Sequence, residues 1–195
     1  VLQLLQTTKE LFNISQKTDQ RLSELCKTAG EKIHSVPNDV QSLYFEQNGG
    51  GFYSDIKGGI YQGRGSGVIG EKFISGGLLR FFEKPAGMFL KNRYKDAIYA
   101  RYYSSKEVEP VDDLQSKYGV YRRSITDKKD EKLGVFGSET VINEIASGIT
   151  IAEYRYFFSK MDRRICGHVV DNKIEDKGFI IRALNLEKRF KPLGK

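Results

Sequence analysis

Tryptophan is absent from these 195 residues, and cysteine, histidine and methionine appear only twice each. With Cys26 and Cys166 alone, the chain is neither a disulfide scaffold nor a cysteine-rich zinc module, and one bridge is the most it can form. His168 lies beside Cys166 on an expected strand, too close in sequence for a nucleophile and its base, which usually come from distant segments. His34 is read at a helix end, in contact with the helix dipole. No apolar run approaches the ~18 residues a membrane helix needs, so no transmembrane segment is expected. No signal-peptide pattern opens the sequence, and with valine first the chain is read as processed or trimmed, its compartment left open.

Complete catalytic motifs are missing too. There is no G-x-x-x-x-G-K-[ST], and Gly63, Gly65 and Gly70 miss G-x-G-x-x-G by two positions. What is present is the composition of a folded, soluble protein: 39% apolar, 29% charged and 12% aromatic, with tyrosine and phenylalanine supplying the bulk. A net charge of +7 and a pI near 9.3 favour acidic partners such as nucleotide, nucleic acid or an anionic membrane face. Part of that excess sits in a basic tail, where Arg182, Lys188, Arg189, Lys191 and Lys195 face only Glu187.

The stretch Asn48 to Gly77 holds eleven of the twenty glycines. Pairs of glycines followed by apolar or aromatic pairs recur at Gly50, Gly58 and Gly76, with a degenerate copy at Ser66. Short strands joined by tight turns fit that period, so a glycine-rich β-hairpin region is expected over 48–77. Before it, Val1 to His34 reads as one long N-terminal helix. Leu4, Thr8, Leu11, Ser15, Thr18, Leu22, Leu25 and Ala29 alternate steps of four and three, a heptad seam for self-association or a protein partner. The alternative is an amphipathic helix lying on its own domain through Leu22, Cys26, Ala29 and Ile33.

Further on, Val40 to Gln47 is a short strand or helical turn, and Leu78 to Lys84 is β-capable. Met88 to Ser105 is expected as a second helix with Leu90, Tyr94, Ile98 and Tyr102 buried, leaving Lys91, Arg93, Lys95 and Arg101 outside with Tyr99 and Tyr103. Asp112 to Tyr118 is read as a short helical turn, Tyr121 to Ile125 as a strand and Ser138 to Ser147 as a short helix. Ile149 to Phe158, Ile165 to Val170 and Phe179 to Leu186 are strand candidates. The whole is a single α+β domain: a long N-terminal helix, glycine-rich hairpins, a second helix, and a C-terminal antiparallel sheet over 120–186 before the basic tail of 187–195.

Candidate chemistry is scattered. Arg64, Ser66, Lys72 and Arg80 stand on or beside the glycine ribbon, where bare amides and a guanidinium suit a phosphate. Glu153 interrupts an apolar and aromatic strand, and Tyr61 offers a ring for stacking. A sugar-nucleotide bond cleaved at a dinucleotide such as NAD would use a phosphate-binding arginine, an aromatic and a carboxylate in those roles. Asp171-Asn172-Lys173 and Glu175-Asp176-Lys177 match the acidic-x-Lys end of a metal-dependent nuclease strand, or a polar hairpin loop.

Gly59-Ile60-Tyr61 followed by Val68-Ile69-Gly70 resembles the paired triplets of GIY-YIG nucleases. Val68 replaces the second tyrosine, and six residues separate the triplets.

The leading expectation is therefore an enzyme domain of the toxin or effector kind acting on nucleotide or RNA, with Glu153 and Arg80 catalytic and Arg64, Lys72, Tyr61 and Ser66 binding ligand. No metal site is assigned, and the cofactor is unknown. The competing expectation is a non-catalytic binding and assembly module that self-associates through its first helix and holds nucleic acid on the basic, aromatic face of Lys91 to Arg101.

Overall fold

The computed structural model describes residues 2–46, 65–86, 98–104, 107–167, 169–170, 173–174 and 176–190. Side chains are described for all of these except 2–10, 65–69, 169–170, 173–174 and 176. The described elements are α1 (Leu2–Cys26), β1 (Gly30–Ile33), β2 (Ser42–Phe45), α2 (Gly65–Ser75), β3 (Phe81–Pro85), β4 (Tyr99–Tyr102), β5 (Val108–Val111), β6 (Tyr118–Ser124), α3 (Lys128–Lys132), β7 (Val135–Glu144), β8 (Thr150–Ser159), β9 (Ile165–Cys166), β10 (Val169–Val170), β11 (Lys173–Ile174) and α4 (Asp176–Ala183). Helices beside a large mixed sheet make this an α+β fold.

The main sheet runs β1-β8-β7-β6-β2-β3-β4-β5, with β9 added to β8. Strand β2 is parallel to both of its neighbours, Leu43 standing opposite Tyr118 and Phe82, while β3, β4 and β5 pair antiparallel. By contact density the chain divides into two compact units. One is Val1–Glu31, Arg123–Glu139 and Tyr154–Glu175; the other is Lys32–Arg122, Thr140–Glu153 and Asp176–Lys195.

In the first unit the lower turns of α1 supply the apolar face. Leu22 is buried with Val135 and Phe157, and Leu25, Cys26, Ala29, Ile125 and Leu133 close around them. Thr18 belongs to the same stripe. A buried hydroxyl needs a partner, and Thr18 donates to the Leu133 carbonyl at 2.8 Å. Arg21 binds the buried Asp130 at 2.6 Å, and Arg164 pairs with Asp19. Asp127 caps α3, accepting from the amides of Lys129 and Asp130. Cys26 and Cys166 form a disulfide, fastening the end of α1 to β9.

In the second unit α2 packs on the sheet face carrying Leu43, Phe45 and Phe82. The Phe45 ring stands 6.3 Å from Phe73 and 6.0 Å from Phe82, and Phe82 stacks on Tyr102 at 4.9 Å. A Cβ on Gly70 would come within 2.7 Å of the Phe82 ring, so a bare backbone is what lets α2 lie directly on β3. Phe179, Ile180, Ala183 and Leu184 of the α4 segment are buried at helical spacing.

Several expected elements take another form. The first helix ends at Cys26, and Gly30 at φ +112° opens a strand, so Ile33 is 41% exposed and His34 caps nothing; its amide donates to the Ile151 carbonyl. The part of the glycine region that is described, Gly65–Ser75, is helix rather than hairpin, which puts Val68-Ile69-Gly70 on a helix; 48–64 lies outside the described residues. Of the expected second helix, 87–97 lies outside them as well, and Tyr99–Tyr102 is strand β4.

The segment after Pro110 is not a helical turn: Val108–Val111 is an edge strand and 112–117 a loop. Ser138 to Ser147 is mostly strand β7, where Thr140, Val141 and Ile142 favour extended backbone over the helix that a capping serine implies. Phe179 to Leu186 is helix in its first half. Strands β3 and β8 form where expected. The expected hairpin between Ile165–Val170 and Phe179–Leu186 does not: β10 pairs instead with Lys173–Ile174, inside the segment read as its loop.

Candidate functional site

The residues expected to carry chemistry fall in different places. Tyr61 and Arg64 lie outside the described residues, and Ser66 is on α2 with its side chain undescribed. Lys72 is exposed at the last turn of α2. Arg80, exposed just before β3, has its guanidinium 5.1 Å from the centre of the Phe190 ring. Glu153 is on β8, bound to Lys32 at 3.2 Å. From β8 to β3 the sheet counts four strand spacings, ~19 Å at ~4.8 Å each. Arg80 and Glu153 therefore do not meet over one bond of a substrate. Cys166 is half of a disulfide and no nucleophile; His168, Asp171, Asn172 and Glu175 lie outside the described residues.

Besides Asp130, two buried carboxylates, neither anticipated, organise the charge. In the second unit Glu83 is fully buried and takes Nε and Nη2 of Arg101 at 3.0 and 2.9 Å, the Gln115 amide at 3.1 Å and the Ser116 amide at 2.8 Å. Arg101 lies against the Phe81 ring, 5.0 Å from its centre. It was expected on a solvated basic face and is instead 6% exposed. A carboxylate so fully satisfied holds the 112–117 loop on the sheet and has no lone pair left for proton transfer.

In the first unit Glu139, also buried, lies between Arg123 at 2.5 Å and Arg155 at 2.6 Å. Burial pushes its pKa up, but the two arginine hydrogen bonds and their charge outweigh that and hold it below the ordinary carboxylate range. A carboxylate whose folded pKa is depressed contributes stability above its unfolded value, about 4.3, and loses it as pH falls through the lower folded value. Denaturation midpoints measured from about pH 6 to pH 3 should fall through that window, and Glu139→Gln should flatten part of the slope. An unchanged slope in the variant would remove Glu139 from the account.

One face of the second unit's sheet collects aromatic rings around a further acid. Alternation puts Tyr44 and Glu46 on the same face of the β2 line, and the pairing of β2 with β6 and of β3 with β4 places Tyr121 and Tyr99 on that face too. The Tyr99 ring stands edge-on to Tyr44 with centres 5.9 Å apart, and the Tyr121 ring tilts toward it at 6.1 Å. Gly119 makes room: a Cβ there would come within 2.6 Å of the Tyr121 hydroxyl. Tyr44 is 7% exposed, while Tyr99, Tyr121 and Glu46 are partly open. Among the described residues no cation and no side-chain hydrogen bond holds the Glu46 carboxylate.

A last surface lies on α1. Below Ser15 its stripe is buried or half-buried; above, Leu11, Phe12 and Ile14 are 56%, 63% and 41% exposed within about one turn of the same helix. No protein-family model, curated protein or solved structure matches the chain. No described helix is long and apolar enough to cross a membrane.

Proposed function

We propose that the chain is a binding and assembly module whose first helix joins a second copy of itself. The observation that carries this is the split use of one heptad seam. Thr18, Leu22 and Leu25 spend it on the first unit's core, whereas Leu11, with Phe12 and Ile14 beside it, offers the same seam to solvent. Large apolar side chains adjacent on one helix and left in water are an unfilled half of a helix-helix contact, and a 4-3 repeat is self-complementary. The toxin-type enzyme reading has less support, because Arg80 and Glu153 lie four strands apart and Glu153 is engaged by Lys32. The nucleic-acid face is weakened by the burial of Arg101 on Glu83. The Cys26–Cys166 bond favours work in an oxidising compartment.

Sedimentation velocity over a range of concentrations is the test. The chain should shift from monomer to dimer. Leu11→Asp with Phe12→Ser should raise the dissociation constant about a hundredfold or more, since each apolar side chain removed from an interface is worth about 1.5–3 kcal/mol. At concentrations where both chains are monomeric, the variant should keep the parent's thermal midpoint, because its altered residues are exposed in the single chain. A chain that stays monomeric at every concentration, or a variant that dimerises as well as the parent, overturns the reading.

A further inference from the structure

We infer that Tyr44, Tyr99, Tyr121 and Glu46 form a binding site for an organic ammonium cation, of the quaternary or methylated-amine class. The site lies in the second unit and stands independently of assembly through α1.

Sheet register gives the site its shape. Continuing the β2 pairings by two residues, Glu46 falls opposite Tyr121 on one side and Pro85 on the other, with Tyr99 paired to Pro85. The backbones of Tyr121 and Tyr99 are thus three strands apart, ~14 Å. Their rings nevertheless come within 6.1 and 5.9 Å of the central Tyr44 ring. Both lean toward the Tyr44 row of the sheet, leaving the next row between them to Glu46 and the flat Pro85. Glu46 and Pro85 thus stand between Tyr121 and Tyr99 in one cross-strand row, with the Tyr44 ring beside them in the next.

Ring faces and a carboxylate share one electrostatic preference. The π-face of a tyrosine is negative, so three such rings attract a positive, weakly hydrated group, and methylated ammonium loses little hydration on entering. Glu46 adds a full negative charge. Its reach is visible in its neighbours: the buried Tyr44 hydroxyl is pushed up to about 12, by burial first and the Glu46 charge second, and Tyr121 is raised by the same causes in the same order. A phosphate or carboxylate ligand would meet repulsion here from Glu46. The nearest buried cation, Arg101, is already neutralised by Glu83 at 2.9 Å. A ligand with no charge would gain only apolar contact. The described geometry therefore selects for charge sign, inside a chain whose overall charge is positive.

The experiment uses the full chain with tetramethylammonium chloride as probe and tert-butanol as an uncharged molecule of nearly the same shape, followed by titration calorimetry. Because the chain has no tryptophan, quenching of tyrosine emission gives a second readout. Saturable binding of the ammonium is expected, with tert-butanol at least about tenfold weaker. Glu46→Gln and Tyr99→Leu should each weaken the ammonium about tenfold, in line with the worth of a desolvated cation–π contact or charge pair, while Tyr99→Phe, which keeps the ring, should stay within about threefold. All three positions are partly open, so folding is checked by far-ultraviolet dichroism, and Tyr121→Leu stands in for any variant that fails that check. Equal affinity for the two probes, absence of saturable binding, or full affinity in the folded Glu46→Gln and Tyr99→Leu chains would each overturn the assignment.

Discussion

Replacing Cys26 and Cys166 by alanine is expected to lower the unfolding free energy by about 5 kcal/mol. The size follows from the loop that the bond closes. The two cysteines are 140 residues apart, and the entropy removed from an unfolded chain grows with the logarithm of that length. Small domains are stable by only about 5–15 kcal/mol in total, so the loss is a large share of what holds the chain folded. Within the first unit the bond fastens the end of α1 where Leu22, Leu25 and Ala29 already pack against Val135 and Phe157. The contacts themselves survive the substitution, and what is lost is the restriction of the unfolded state.

Urea denaturation of the parent and of the double variant should show the difference as a lower midpoint. A slope per molar urea that rises in the variant is part of the same expectation, because an unbridged unfolded chain exposes more surface. Treatment of the parent with a reducing agent should reproduce both changes. A stability difference under about 1 kcal/mol would mean that the first unit does not depend on the bond.

The second large effect lies at Glu83. Glu83→Ala is expected to cost about 3–5 kcal/mol, because it strands the buried Arg101 charge without its partner. It also removes the acceptor for the amides of Gln115 and Ser116, which then face the sheet unsatisfied. Arg101→Ala should cost a similar amount for the mirror reason. Changing both residues to alanine should cost clearly less than the sum of the two single losses, since removing both partners leaves no orphan charge. Denaturation of the four proteins gives the coupling directly, and strictly additive costs would show that the two side chains do not depend on one another. Backbone hydrogen exchange should add a local signature in the Glu83→Ala chain: faster exchange at Gln115 and Ser116 ahead of global unfolding.

What could be read from the residues was local. The run from Thr150 to Ser159 is extended in any context, because β-branched and aromatic residues crowd a helix. The lower stripe of α1 was visible as Leu22 and Cys26 at helical spacing, whereas Ala29 and Ile33, read on the same helix, lie beyond its end. Where two periods overlapped, the local signal misled. Leu90, Tyr94, Ile98 and Tyr102 fall at steps of four, yet Tyr99 to Tyr102 pairs with β3 and β5, so Ala100 and Arg101 face opposite sides of a sheet. Phe179-Ile180-Ile181 has strand-forming residues, but burial of Phe179, Ile180, Ala183 and Leu184 pulls the segment into a helix.

The candidate site was less legible still. Its rings come from β2, β4 and β6, and what brings Tyr44 beside Tyr121 is a parallel pairing between strands separated by more than seventy residues. Nothing in the vicinity of Tyr44 records that partner. Only the alternation that puts Tyr44 and Glu46 on one face was present in the sequence, and a single pair of that kind is common. Glu83 and Arg101 were hidden in the same way, an acid and a base recognisable as a pair only once β3 and β4 lie side by side.

The first unit is assembled from three stretches of chain, 1–31, 123–139 and 154–175. During synthesis α1 leaves the ribosome before the strands that cover Leu22, which follow more than a hundred residues later. At about 5–20 residues per second, Cys26 waits roughly seven to thirty seconds for Cys166 to be made. Until Val135 and Phe157 follow, the lower turns of the seam lack the partners that bury Leu22 in the folded chain. The order in which the pieces emerge therefore separates the helix from its own core in time as well as in sequence.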